Sequence, residues 1–110
     1  MKRPVAKLLL DALSAGHEIE NYVAGASYEQ LQSDRSLQLI LERLYEIVGE
    51  ALNQAEEADP TLREHVPEMG DIIGMRNRIA HGYWEVSSRI LWDTAIDKVP
   101  VLCTQLERLL

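Results

Sequence analysis

The sequence predicts an all-α fold, a single-domain bundle of about four main helices. Apolar residues recur at three-and-four spacing along nearly the whole chain, and glycine or proline punctuates that spacing at only a few points. A length of 110 residues holds one core. No internal repeat, low-complexity tract or linker divides it.

Val5, Leu8, Leu9, Ala12, Leu13, Gly16, Ile19 and Val23 form a buried stripe that sets a first helix from about Lys2 to Ala24, with Gly25 able to end it. Ser27 and Gln30 have the form of a capping box, so a short helical turn is expected through Leu31 before a new start near Asp34. Leu37, Ile40, Leu41, Leu44, Val48, Ala51, Leu52 and Ala55 make a long second helix, stopped by Asp59-Pro60. Gly49 inside it permits close approach of another helix. Pro67 suits the first turn of a third helix carrying Ile72, Ile73, Met75, Ile79 and Ala80, which should fray at His81-Gly82. Ser87 or Ser88 can cap a last helix through Ile90, Leu91, Ala95, Ile96, Val99, Leu102, Leu106 and Leu109, kinked or interrupted by Pro100. Trp84 is expected in the core.

The net charge of −7 argues against a protein that coats nucleic acid, because nonspecific affinity comes from many basic contacts with phosphates. Acids concentrate between Glu42 and Asp71, whereas Arg63, Arg76, Arg78 and Arg89 lie in or near the half that follows. An acidic surface with a confined basic pocket suits a selective site or the docking of a basic partner. No window approaches the apolar run of about 20 residues that a membrane span needs. The opening Met-Lys-Arg-Pro has no apolar segment of the secretory kind behind it, and the single cysteine, Cys103, sits in Val101-Leu102-Cys103 as a buried small hydrophobe. A reducing, cytoplasmic location is the expectation. His17 and His65 share no ligand spacing with His81 and no cysteine cluster exists, so neither a metal site nor a cofactor is expected.

Chemistry concentrates in the run Arg76-Asn77-Arg78-Ile79-Ala80-His81-Gly82-Tyr83. A guanidinium is a permanently charged fork suited to phosphate oxygens, and an imidazole exchanges its proton near neutral pH. At roughly 100° per residue, Asn77 and His81 share a helix face while Arg76 and His81 diverge by roughly 140°. Arg76 can reach the pocket of its own His81 through its long side chain, or meet the histidine of another subunit across a two-fold axis. Glu50 either pairs with an arginine of the motif helix or stays on an exposed face. Glu56, Glu57 and Asp59 read as a solvated helix end. A plainer reading of Arg76, Asn77 and His81 is an ordinary polar helix end, with His81 favoured there by the helix dipole.

Arg76, His81 and Tyr83 reproduce an Arg-x-x-x-x-His-x-Tyr signature, flanked by Ile47-Val48-Gly49-Glu50-Ala51, by Ile72-Ile73-Gly74-Met75 and by Asn77. In these features the chain resembles the HepT-like toxins of the HEPN (higher eukaryotes and prokaryotes nucleotide-binding) superfamily, over nearly its whole length. The resemblance implies a HEPN-like bundle that forms a homodimer, with a composite site built from paired motifs. It implies the toxin of a toxin–antitoxin system, a metal-independent endoribonuclease acting on RNA. The implied partner is an MntA-like nucleotidyltransferase antitoxin that transfers AMP to Tyr83, with assembly beyond the dimer left open. Many relatives carry a Pro-Trp pair ahead of the motif where this chain has Glu68-Met69 after Pro67.

In that setting His81 takes the proton of a ribose 2′-hydroxyl, Arg76 holds the charge building on the phosphoryl oxygens, Asn77 orients the imidazole or a phosphate oxygen, and Tyr83 stacks on a base, bonds a phosphate or accepts AMP. Two other functions stand beside this one: a noncatalytic nucleotide-binding or regulatory subunit of a nucleotidyltransferase, and a structural helical dimer.

Overall fold

A computed structural model of the chain describes residues 3–82 and 86–110. Within them the chain forms α1 (Arg3–Ala24), α2 (Tyr28–Ser33), α3 (Arg35–Ala58), α4 (Leu62–His65), α5 (Met69–His81), α6 (Ser88–Asp97) and α7 (Val99–Leu109). The expected four main helices are α1, α3, α5 and a broken fourth, α6 with α7.

Local chemistry sets each boundary. The Ser27 hydroxyl accepts from Gln30 N at 3.2 Å and the Gln30 side chain accepts from Ser27 N at 2.8 Å, so the expected capping box opens α2. Asp34 starts α3 by accepting from Leu37 N at 3.1 Å. α3 stops at Ala58, before Asp59-Pro60, as the sequence predicts. Asp59 then accepts from Thr61 N at 3.1 Å and from its hydroxyl at 2.6 Å, which turns the chain into α4, a helix the sequence did not suggest. The acidic end of α3 is therefore partly engaged, since Glu56 also accepts from Arg63 Nη2 at 3.2 Å.

Pro67 does not sit in the first turn of the motif helix. It follows Val66, whose carbonyl accepts from Met69 N at 3.1 Å, so the ring occupies the second position of a tight turn, where its fixed φ is favoured, and α5 begins two residues later. Ser87 caps α6 through Ile90 N at 3.2 Å. The break expected around Pro100 falls at Lys98, and Pro100 lies in the first turn of α7, where a missing N–H costs nothing.

α3 is the central rod, with α1 along one flank and α5 along the other; α7 packs on α1, and α6 touches α1, α2 and α7. Leu9, Ile19, Leu41, Leu52, Ile72, Leu102 and Leu106 are fully buried among these helices. Each such side chain contributes about 1.5–3 kcal/mol. Tyr45 is buried with them; its hydroxyl donates to Leu91 O at 2.8 Å, and burial pushes the phenol's pKa upward. Ile40 and Ile96, placed by periodicity in core stripes, are 37% and 47% exposed. Trp84 lies outside the described residues. No helix among the described residues is long and apolar enough to cross a membrane.

Candidate functional site

The motif helix is held against α3 by a contact that only glycine allows. A Cβ built on Gly49 would stand 2.2 Å from Arg76 Cβ and 2.7 Å from Arg76 Cγ, so the bare backbone of α3 receives the stem of the arginine directly. The expected close approach at Gly49 is thus made by Arg76 itself.

That contact fixes where the guanidinium goes. Arg76 Nη2 lies 2.7 Å from Glu50 Oε2, and Arg76 Nη1 donates to Asn77 Oδ1 at 3.0 Å. Glu50 is steadied in turn by the Gln54 side-chain amide, which donates to Oε1 at 3.0 Å. The alternative left open for Glu50 resolves in favour of pairing. These bonds engage two of the five N–H groups of the guanidinium and leave the rest of the fork for an anion. The Arg76 side chain is 27% exposed, so solvent and ligand can reach it.

Spacing along α5 makes Asn77 the neighbour of His81, whereas in the structure its side-chain oxygen accepts from Arg76. His81 is the last residue of α5 and is exposed. Gly82 follows it at φ 62°, a left-handed conformation that suits glycine and ends the helix where the sequence predicts. Because α5 runs unbroken from Arg76 to His81, Arg76 turns toward α3 while His81 stands on another face. Tyr83, the expected AMP acceptor, lies outside the described residues.

Electrostatics separate the surroundings of the site. A groove of about 500 Å³ between α1 and α3 is lined by Asp11, Glu18, Glu46 and Glu50 against a single Arg43, and so repels a phosphodiester chain. A pocket of about 490 Å³ at the carboxyl end of α5 is lined instead by Arg35, Gln38, Gly82, Ser87 and Ser88, with Glu42 beside them. The Gln38 amide is taken up by Leu31 O at 2.8 Å and Gln32 O at 3.2 Å, and it is the Arg35 guanidinium and the serine hydroxyls that suit phosphate and sugar oxygens. At the opposite seam, α1 and α7 bring His17, Glu20 and Cys103 together, a grouping that linear ligand spacing did not suggest.

Comparison with known proteins agrees with this architecture. The sequence profile of the family described as ribonuclease HepT-like matches residues 12–109. A protein of Thermococcus cleftensis named "Probable ribonuclease HepT" is 29% identical over 109 residues, covering 99% of this chain and 98% of that protein. Two proteins named "Putative RNase" are also similar. One, from Caldanaerobacter subterraneus subsp. tengcongensis, is 33% identical over 88 residues, covering 80% of this chain and 78% of its own. The other, from Methanocaldococcus jannaschii, is 26% identical over 109 residues, covering 99% and 93%. No solved structure matches the chain. With the family profile covering nearly the whole bundle, the chain belongs to the ribonuclease HepT-like family.

Proposed function

We propose that this protein is a toxin-type endoribonuclease that cleaves RNA without a metal, as a homodimer whose paired Arg76-Asn77-His81 motifs line one cleft. The observation that carries this reading is the Glu50–Arg76–Asn77 network, which holds a part-exposed guanidinium five residues ahead of an exposed histidine on one continuous helix. A fixed cation and an imidazole supply the two things that internal transesterification of RNA needs, charge stabilisation on the phosphoryl oxygens and a proton acceptor for the 2′-hydroxyl. The attack of that hydroxyl on phosphorus yields a 2′,3′-cyclic phosphate and releases a 5′-hydroxyl. In a paired arrangement the second His81 can protonate the leaving 5′ oxygen. Two features favour pairing through α5: the helix packs chiefly on α3, and among the described residues a Cβ at Gly74 would meet nothing within 4 Å, leaving room for another helix. The names of the relatives support RNA as the substrate.

Purified protein incubated with RNA in a chelator is expected to produce fragments ending in 2′,3′-cyclic phosphate, from a species that sediments as a dimer at low micromolar concentration. Intact RNA with a folded dimer would favour the noncatalytic regulatory subunit, and a clean monomer would remove the composite site.

Control of the toxin is assigned to a cognate MntA-like nucleotidyltransferase that places AMP on Tyr83, two residues past His81 and just beyond Gly82. An AMP phosphate so close in sequence to Arg76 and His81 would occupy the place of the scissile phosphate. Co-expression with that enzyme should add AMP mass to the wild type and none to Tyr83→Phe; an adduct that persists in Tyr83→Phe removes this assignment.

A further inference from the structure

The seam between α1 and α7 carries a second cluster of reactive side chains, separate from the α3–α5 seam that holds Arg76. His17 and Glu20 stand three residues apart on α1, so they project from one face of that helix. Cys103 meets them from α7. One donor atom from each, an imidazole nitrogen, a carboxylate oxygen and the thiol sulfur, lies within 4.8 Å of the other two. His17 Nδ1 and Glu20 Oε1 are 3.2 Å apart. Tetrahedral Zn²⁺, with bonds of about 2.0–2.2 Å to nitrogen and oxygen, holds such donors roughly 3.3–3.5 Å apart, so this pair already spans close to one coordination edge.

Two further observations fit a site rather than a chance cluster. A Cβ at Gly16 would stand 2.8 Å from Cys103 Sγ, so the glycine beside His17 lets the thiol lie directly against α1. On the other side of the imidazole, His17 Nε2 is 3.2 Å from Glu107 Oε1. A carboxylate behind a histidine is the arrangement that fixes tautomer and ring orientation in metal sites. The cysteine is buried at the floor, and the His17 side chain is 49% exposed at the mouth, which leaves the outward position to water.

We propose that His17, Glu20 and Cys103 bind one zinc-class divalent ion, with Glu107 holding the imidazole, and that the ion clips α7 to α1. Thiolate with imidazole and carboxylate selects zinc or cobalt over magnesium or calcium. Burial, reinforced by the neighbouring Glu20 and Glu107 carboxylates, pushes the Cys103 thiol up to about 12. Binding therefore breaks the S–H bond, passes the proton to solvent and forms the metal–sulfur bond, with no change of oxidation state. Without a metal the His17 ring lies between the Glu20 and Glu107 carboxylates and the Cys103 thiol hydrogen-bonds Glu20; only a bound ion turns that thiol into a thiolate ligand. The sulfur is what the experiment reads.

The test uses the full chain and Co²⁺, with Zn²⁺ as competitor. One equivalent of Co²⁺ should give a thiolate-to-cobalt charge-transfer band that Zn²⁺ abolishes and Mg²⁺ does not. The band should be absent in Cys103→Ser. A chromophoric chelator competing for Zn²⁺ should report affinity at least about tenfold weaker in His17→Gln, whose altered side chain is half exposed and leaves the core intact, and about 10–100-fold weaker in Glu107→Ala. Zn²⁺ at about a hundred times its Kd should raise the thermal midpoint of the wild type by on the order of 10 °C. No band in the wild type, a band that survives Cys103→Ser, or an equal rise in midpoint in His17→Gln would overturn the site. None of the three readouts depends on RNA cleavage.

Discussion

Alanine at either Arg76 or His81 is expected to lower RNA cleavage by about 10²–10⁴-fold while the fold survives. The magnitude is that of losing a positioned base or a preorganised charge from a transition state. Survival of the fold follows from where the two side chains lie. His81 is exposed at the end of α5, so its removal opens no core cavity. The Arg76 side chain is 27% exposed and its partner Glu50 43%, a pair close enough to solvent to contribute under about 1 kcal/mol. Arg76→Lys keeps the charge but not the fork, and a single ammonium cannot serve Glu50, Asn77 and a phosphate in the same geometry, so it should behave much like alanine. Glu50→Gln probes the arrangement rather than the charge of the arginine: kcat should fall by about tenfold, with KM and the thermal midpoint near wild type. Cleavage of a labelled RNA, read beside circular dichroism and a thermal melt, checks all four variants. An unfolded Arg76→Ala or His81→Ala protein makes that residue structural, and folded variants that cut RNA at the wild-type rate defeat the mechanism.

What the sequence discloses and what it hides differ in length scale. α1, α3 and α5 are legible because each carries an apolar stripe several turns long, and α2 and α6 because Ser27 and Ser87 announce their starts. α4 spans four residues, too few for any period, and arises from the turn that Asp59 and Thr61 make around Pro60. Pro67 misleads for a related reason, since the same fixed φ serves the second position of a tight turn and the first turn of a helix. Ile40 and Ile96 show that a stripe can be wider than the face a neighbouring helix covers. Within the site, Arg76, Asn77 and His81 are legible as a motif within one helix. The role of Glu50 is legible only as one of two alternatives, because the choice depends on the register of α3 against α5, which the Gly49 contact sets and spacing along one helix cannot disclose. The grouping of His17 with Cys103 is hidden for the same reason, being a product of how α7 lies on α1.

Gly49→Ala is expected to be the most damaging single-methyl change in the bundle, and to strike stability and activity together. In an isolated helix the substitution would help by about 1 kcal/mol, since alanine is the better helix former. Here the new Cβ would stand 2.2 Å from Arg76 Cβ, 2.7 Å from Arg76 Cγ and 3.4 Å from Ile72 O. Those neighbours are the root of a side chain and a helix carbonyl, not a mobile tip, so relief requires α3 and α5 to move apart. Val48 and Leu52 on α3 and Ile72 and Met75 on α5 are all buried. Overpacking at such a contact costs typically about 1–3 kcal/mol and occasionally more, which outweighs the gain in helix propensity. A net loss near 2 kcal/mol corresponds to a midpoint lowered by on the order of 10 °C for a domain of this size. Because Arg76 is the residue displaced, the guanidinium should also lose its register with Glu50, and cleavage should fall by at least about tenfold under conditions where the variant is still folded. Gly25→Ala is the internal control: it lies at the end of α1, off the motif helix, its Cβ would come no nearer than 3.9 Å to Asn21 O and 4.0 Å to Tyr22 O, and the midpoint and cleavage should stay near wild type. Thermal melts of the two variants, with RNA cleavage measured below both midpoints, decide the matter. A Gly49→Ala protein as stable and as active as the wild type would mean that the α3–α5 contact does not set the position of Arg76.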